Sequence, residues 1–196
     1  SYLKPGVPFG GPCFPRDNRA FAWMCRQIGA SAPLADATDQ VNQGQVEFLI
    51  WEIERARPRH GKAAILGLSY KPRTGVLEES HGIALAMGLS VRGWSVAAFD
   101  PIVPRDLAEA KLGSNVVAPS FIQCVRDADV VILATPHEEF RDVGVGPFGG
   151  VSPGCVIIDL WDFWTGAEGW PLKVRFLKPG QGPSGDGSAP DGYSEE

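Results

Sequence analysis

An α/β architecture, a small doubly wound parallel sheet preceded by a helical segment, follows from three features of this 196-residue chain. Four short apolar runs, AAILGLS (63–69), SVAAFD (95–100), DVVILAT (129–135) and CVIIDL (155–160), have the near-continuous hydrophobicity of strands buried on both faces. The stretches between them are long enough for helices, and right-handed crossovers would then lay the strands side by side. The first 60 residues carry no such run and show helical spacing instead.

Taken in order, the first helix follows Pro15, a residue suited to a first helical position, and ends at Gly29. Phe21, Met24, Cys25 and Ile28 fall at helical spacing and predict one buried stripe. A second helix runs from about Leu34 to Arg57, with Leu34, Val41, Phe48, Leu49 and Ile53 among polar residues. Pro58 and Gly61 break it, which sets a domain boundary near 57–61. The segment EESHGIALAMGLSVRG supplies a helix between the first two strands, ending at Gly93, and SFIQCVRDA supplies one before the third. The expected domains are 1–60, 61–178 and a tail, 179–196. Eleven of the eighteen tail residues are Gly, Pro or Ser, too little apolar content to offset ordering entropy, so disorder is expected there.

Composition narrows the function classes. With 44% hydrophobic and 21% charged residues the chain can bury a substantial core. The net charge of −5, concentrated in the tail, argues against a nucleic-acid partner. No apolar run approaches the roughly 20 residues of a membrane span and no basic-then-apolar leader opens the chain, so a cytoplasmic location is expected and no membrane partner. The chain opens at Ser1 in what reads as the middle of a domain, and a preceding segment is expected. The four cysteines, Cys13, Cys25, Cys124 and Cys155, are scattered without metal-ligand spacing, so neither a metal site nor a disulfide framework is expected.

One stretch carries chemistry. GVPFGGPCFPRD (6–17) sets a cysteine at the mouth of a helix, where unpaired backbone N–H groups favour a thiolate. Gly10 and Gly11 permit a sharp bend and close approach to a ligand, and Arg16 and Asp17 add a cation and an acid or base in the first turn. From composition alone, Cys13 reads equally as a small buried residue in a Gly/Pro turn. Cys25, Cys124 and Cys155 lie on apolar stripes or beside a strand and read as core. Among the histidines, His60 falls in the linker, His81 near a helix start and His137 just after a strand. His137 reads as solvated or capping, although strand C-termini line ligand crevices. The formal GxGxxG match GVGPFG (144–149) follows no strand and contains Pro147, so it reads as a loop rather than a dinucleotide turn.

FGGPCFPRD, a DQVNQGQ segment in a long helix and AILGLSYKPRTGVLEES together resemble the nucleotide-sugar 6-dehydrogenases, typified by UDP-glucose dehydrogenase, over about residues 2–163. The resemblance implies a helical dimerisation region followed by a Rossmann-like domain for the nucleotide sugar, with NAD held by a separate N-terminal domain. It implies that Cys13 is the nucleophile that captures the sugar C6 aldehyde and passes through a thioester to the uronate. Asp17 then matches the motif aspartate that activates water, and Arg16 stands where a cofactor-side lysine is usual. Leu3, Lys4, Phe9, Gly10 and Gly11 match the loop that wraps the nucleotide sugar, and Tyr70 with Lys71 matches an aromatic–lysine pair near the sugar phosphates. The helix from Leu34 to Arg57 looks like the family's homodimer core.

The sequence also departs from that pattern. In KPRTGVLEES, Arg73 replaces a usual acid, Val76 an aspartate and Glu78 the arginine that faces NAD; in DLWD, Trp161 replaces another arginine. A carboxylate facing a phosphate would repel it. Two functions are therefore expected to compete: the substrate-holding portion of an NAD-dependent UDP-sugar 6-dehydrogenase, inactive in hydride transfer by itself, or a nucleotide-sugar-binding or dimerisation module without chemistry.

Overall fold

The computed structural model describes residues 7–57, 59–164, 168–171 and 174–177. Leu3, Lys4 and the tail lie outside them. Two helices come first, α1 (Phe14–Gln27) and α2 (Pro33–Ala56), then β1 (Lys62–Leu66), α3 (His81–Val91), β2 (Ser95–Phe99), α4 (Arg105–Leu112), α5 (Phe121–Val125), β3 (Val130–Leu133), α6 (Glu139–Asp142), a 3-10 turn (Gly146–Gly150), β4 (Val156–Asp159) and β5 (Arg175–Leu177). All five strands are parallel, in the order β2-β1-β3-β4-β5.

The four expected strands are all present, and each is a little shorter than its apolar run. β1 stops at Leu66 because Gly67 turns to φ +92 and the amides of Leu68 and Ser69 leave the ladder to bond the Asp100 carboxylate, at 2.7 and 3.0 Å. β5 is an addition: three residues, partly exposed, too short to register as a strand pattern. α4 and α6 were likewise not legible as separate elements. The segment 144–149 holds no strand-to-helix turn; it follows α6 and runs into the 3-10 turn.

Helix starts follow capping chemistry. Ser80 accepts the Ile83 amide to open α3, and Ser120 accepts the Gln123 amide to open α5. The sheet is covered on both faces. One core layer joins Ile65, Ile132 and Ile158 to Leu85 and Leu89 of α3 and to Leu49, Ile50 and Ile53 of α2. The other joins Leu66, Leu133 and Ile157 to Phe121, Phe140 and Phe148. Gly88 lets α3 lie directly on Ile50, since a Cβ there would meet Ile50 Cδ1 at 2.5 Å.

The N-terminal helices differ from expectation. Phe21, Met24 and Ile28, the anticipated buried stripe of α1, are 58%, 60% and 81% exposed, and α1 buries Pro15 and Ala22 instead. On α2, Leu34, Val41 and Phe48 are exposed and only the C-terminal half reaches the core. Small residues form the α1–α2 contact, Ala22 against Ala32 and Ala35, so the bulky side chains point away from it. No helix among the described residues is long and apolar enough to cross a membrane.

Candidate functional site around Cys13

The loop before α1 is fixed at three points. Asn42 of α2 grips the Phe9 backbone from both sides, accepting its N–H and donating to its carbonyl, each at 2.9 Å. The Gly11 N–H donates to the Glu78 carbonyl at 3.1 Å. Gly11, at φ +90, lies flat on the Tyr70 ring, whose Cε2 would meet a Cβ there at 2.5 Å, and a Cβ on Gly10 would collide with the Glu79 carbonyl. The close approach these glycines permit is thus to the β1–α3 loop of the same chain.

Two residues on, Cys13 stands exposed at the N-cap position, its carbonyl accepting the first helical N–H, from Asp17, at 2.8 Å. Arg16 and Asp17 pair with each other at 2.8 Å on the surface, and Asp17 raises the Arg16 pKa through that bond. Tyr70 hydrogen-bonds through its N–H to the Val76 carbonyl at 3.1 Å, closing its loop, and Lys71 Nζ lies 5.3 Å from the Tyr70 ring centroid. Gly11 therefore brings the cysteine loop and the Tyr70–Lys71 pair together. Arg19 ties α1 to Glu79 at 2.5 Å and reaches Asp39 of α2 at 3.5 Å.

Beside this junction opens a cleft of about 770 Å³ between the start of α1, the residues before α3, and α4. Arg16, Arg19 and Lys111 bring positive charge to it and Glu78 and Glu79 negative charge, and Met87 is among its apolar lining. A second cleft, about 420 Å³, lies at the far end of the sheet around Arg57 and Asp129. Arg57 there is already committed to Asp129 at 2.6 Å, and none of the chemistry of the cysteine loop reaches it.

His60 lies in the linker and His81 at the start of α3 as expected, but the role expected of His137 is overturned. His137 is not solvated: it is 1% exposed, with Nε2 2.9 Å from Ser69 Oγ and 3.1 Å from Asp100 Oδ2. Burial alone would raise the Asp100 pKa, but the bond and charge of His137 and the Val103 and Leu68 amides hold it well below the usual carboxylate range. His81 is also buried, beside Gly10, and burial lowers its pKa to about 4. Neither burial could be found by spacing, because the partners of His137 follow distant strands and the loop residue Gly10 that covers His81 is 71 positions away. The other cysteines behave as expected of packing residues: Cys124 and Cys155 are buried, Cys25 is partly so, and burial pushes the Cys124 thiol up to about 12. No metal-ligand cluster occurs among the described residues.

Residues 64–166 match the sequence profile described as the UDP-glucose/GDP-mannose dehydrogenase family, UDP binding domain, and residues 1–44 match that family's central domain. The chain belongs to the UDP-glucose/GDP-mannose dehydrogenase family. It is 32% identical over 176 residues to a GDP-mannose 6-dehydrogenase of Pseudomonas syringae pv. tomato, covering 85% of this chain and 39% of the relative. It is 31% identical over 141 residues to a UDP-glucose 6-dehydrogenase of Haloferax volcanii, covering 71% and 33%. The solved structure of a UDP-glucose dehydrogenase from Pyrobaculum islandicum superposes with a TM-score of 0.66 at 28% identity, over 80% of this chain and 35% of that one. A GDP-mannose dehydrogenase from Pseudomonas aeruginosa, at 24% identity and TM-score 0.68, shares the fold over 89% and 41%. The chain thus spans about two fifths or less of the length of these curated relatives.

Two of the departures from the family's motifs have visible consequences. Glu78 lines the cleft, whereas Trp161 turns inward, packs against both core layers and donates its indole N–H to the Ala134 carbonyl at 3.0 Å. A dinucleotide pyrophosphate does not fit the first turn of the sheet. The β1–α3 connection, where a phosphate-binding turn would lie, runs from Gly67 to Ser80; its Leu68 and Ser69 amides are taken by Asp100, and Gly82 presses on the Gly67 carbonyl.

Proposed function

We propose that this chain is the nucleotide-sugar-holding portion of a 6-dehydrogenase, with Cys13 as the nucleophile that captures a sugar C6 aldehyde. What supports the reading above all is an exposed thiol at the first turn of α1, held through Gly11 beside Tyr70 and Lys71. In the capture step, sulfur bonds to the carbonyl carbon, the π pair moves to oxygen, and that oxygen takes up a proton to give a thiohemiacetal. Lys71 is exposed and cationic, suited to the diphosphate, with Phe9, Gly10 and Gly11 walling the loop. Leu3 and Lys4 complete the substrate set by resemblance. Asp17, solvent-facing beside Cys13, is assigned to handling water in the release of the acid, and Arg16 to the cofactor side. NAD is the cofactor the family resemblance implies for the whole enzyme; the β1–α3 turn does not fit its pyrophosphate, so no hydride step is assigned to the described residues.

A homodimer through α2 belongs to the same proposal. Leu34, Val41, Phe48 and Trp51 expose a run of large apolar side chains that water does not favour. A cytoplasmic setting is kept as part of the reading.

A second reading, binding without chemistry, is favoured by Glu78, whose carboxylate in the cleft opposes any further phosphate. Parallel calorimetric titrations with UDP-glucose, GDP-mannose, UDP and NAD, joined to trapping of a UDP-sugar 6-aldehyde by mass spectrometry, separate the two. Nucleotide-sugar binding with a covalent adduct lost in Cys13→Ala is the expected result and names the nucleotide. Binding without an adduct supports the module, and no binding to either nucleotide sugar overturns both.

A further inference from the structure

We propose that His137 is a positioning residue for Lys71: it braces Ser69 and Asp100 at the ends of three strands, and through them fixes the backbone of the Tyr70–Lys71 loop. The sheet order changes direction between β1 and β3, and in a doubly wound sheet the crevice beyond those two strand ends is where ligands ordinarily bind. Here side chains of the chain itself fill it. Ser69, Asp100 and His137, following β1, β2 and β3, are 1%, 9% and 1% exposed.

Their hydrogen bonds form one connected set. A carboxylate only accepts, so the imidazole Nε2, 3.1 Å from Asp100 Oδ2, carries the proton and donates it. Ser69 Oγ, 2.9 Å from the same nitrogen, donates its own hydrogen to the Lys71 carbonyl at 3.0 Å. Asp100 Oδ2 also accepts the Leu68 and Ser69 amides, and Oδ1 accepts those of Ile102 and Val103, both at 2.9 Å. Thr135 Oγ1 donates to the Ser69 carbonyl from β3's side. The segment leading to Lys71 is therefore tied to both neighbouring strand ends, directly through Asp100, which also lies 3.2 Å from Ser69 Oγ, and through Thr135, and His137 Nε2 adds a further contact that holds Ser69 Oγ and Asp100 Oδ2 to one nitrogen.

Two features separate this from a packing role and from a catalytic relay. His137 Nδ1 is buried with no hydrogen-bond partner among the described residues. An apolar side chain against Phe140 would fill the space without stranding that atom, so the ring is kept for its Nε2. Acid and hydroxyl both meet that one nitrogen, whereas a Ser–His–Asp relay uses one ring nitrogen for each.

The proposal rests on Lys71 contacting the nucleotide sugar, so its test has one readout that needs no ligand. Hydrogen exchange is followed by mass spectrometry in the full chain and in His137→Leu, His137→Gln and Ser69→Ala, with UDP-glucose and GDP-mannose affinities measured alongside. In His137→Leu and Ser69→Ala, amides 68–71 are expected to exchange at least about tenfold faster while β4 is unchanged. Affinity should fall by about tenfold or more, as in Lys71→Ala. His137→Gln, which offers an N–H at similar reach, should restore both. Unchanged exchange at 68–71, equal loosening of β4, or a Gln variant no better than Leu overturns the proposal. If the unaltered chain binds neither nucleotide sugar, the functional reading fails and the exchange result alone decides the positioning; if His137→Leu does not fold, His137→Asn, whose shorter amide does not reach both Ser69 and Asp100, decides it by the same exchange readout.

Discussion

The strands of the sheet and the two N-terminal helices carry comparable apolar side chains and meet opposite fates. Ile65 and Leu133 are fully buried between two helical layers, whereas Met24 and Ile28 on α1 are mostly in solvent. Apolar periodicity records which face of an element is built for burial; it does not record what covers it. In the strands the partner is supplied by helices nearby in sequence. On α1 and the N-terminal half of α2 the small residues Ala22, Ala32 and Ala35 close the helix pair, and the large ones are left facing outward.

That contrast can be broken most forcefully in the sheet. Ile65→Ala should cost about 2–5 kcal/mol, since the strand has no room to collapse into the space left, and urea unfolding monitored by circular dichroism will read it. An intermediate effect comes from His81, buried where the helical loop meets the sheet domain. Its pKa is about 4 against 6.5 in an unfolded chain, so on acidification the unfolded state takes up the proton first. Stability is then full above about pH 6.5, falls as pH drops toward 4, and loses about 3 kcal/mol in all. Asp100 is displaced downward as well, but it costs stability only as pH falls below the ordinary carboxylate range, so the upper window belongs to His81. In His81→Gln the unfolding midpoint should lose that slope between pH 6.5 and 4. Smallest is the helix face: Phe48→Glu should move intrinsic stability by no more than about 0.5 kcal/mol, as exposed positions do. Sedimentation velocity should nevertheless shift the species from dimer to monomer; an unchanged sedimentation coefficient would remove the α2 dimer.

Much of the site was legible because its parts are adjacent in the chain. Cys13, Arg16 and Asp17 share one helical turn, and Tyr70 and Lys71 share one loop. The meeting of the two segments was not legible. It depends on Gly11 lying against Tyr70 and on Asn42 gripping Phe9, contacts that join residues 59 and 33 positions apart.

The sequence by itself determined four of the five strands, the helices α1, α2, α3 and α5, and the placement of a thiol at a helix start, because each rests on local spacing and backbone chemistry. Tertiary structure decided the rest. It buried His137 and His81 by bringing strand ends and loops around them, left the α1 stripe exposed by choosing alanines for the helix contact, and turned Gly10 toward the Glu79 carbonyl and Gly11 toward the Tyr70 ring of the same chain. Burial and hydrogen-bond pairing are properties of which distant segments meet, and no short stretch of residues contains that information.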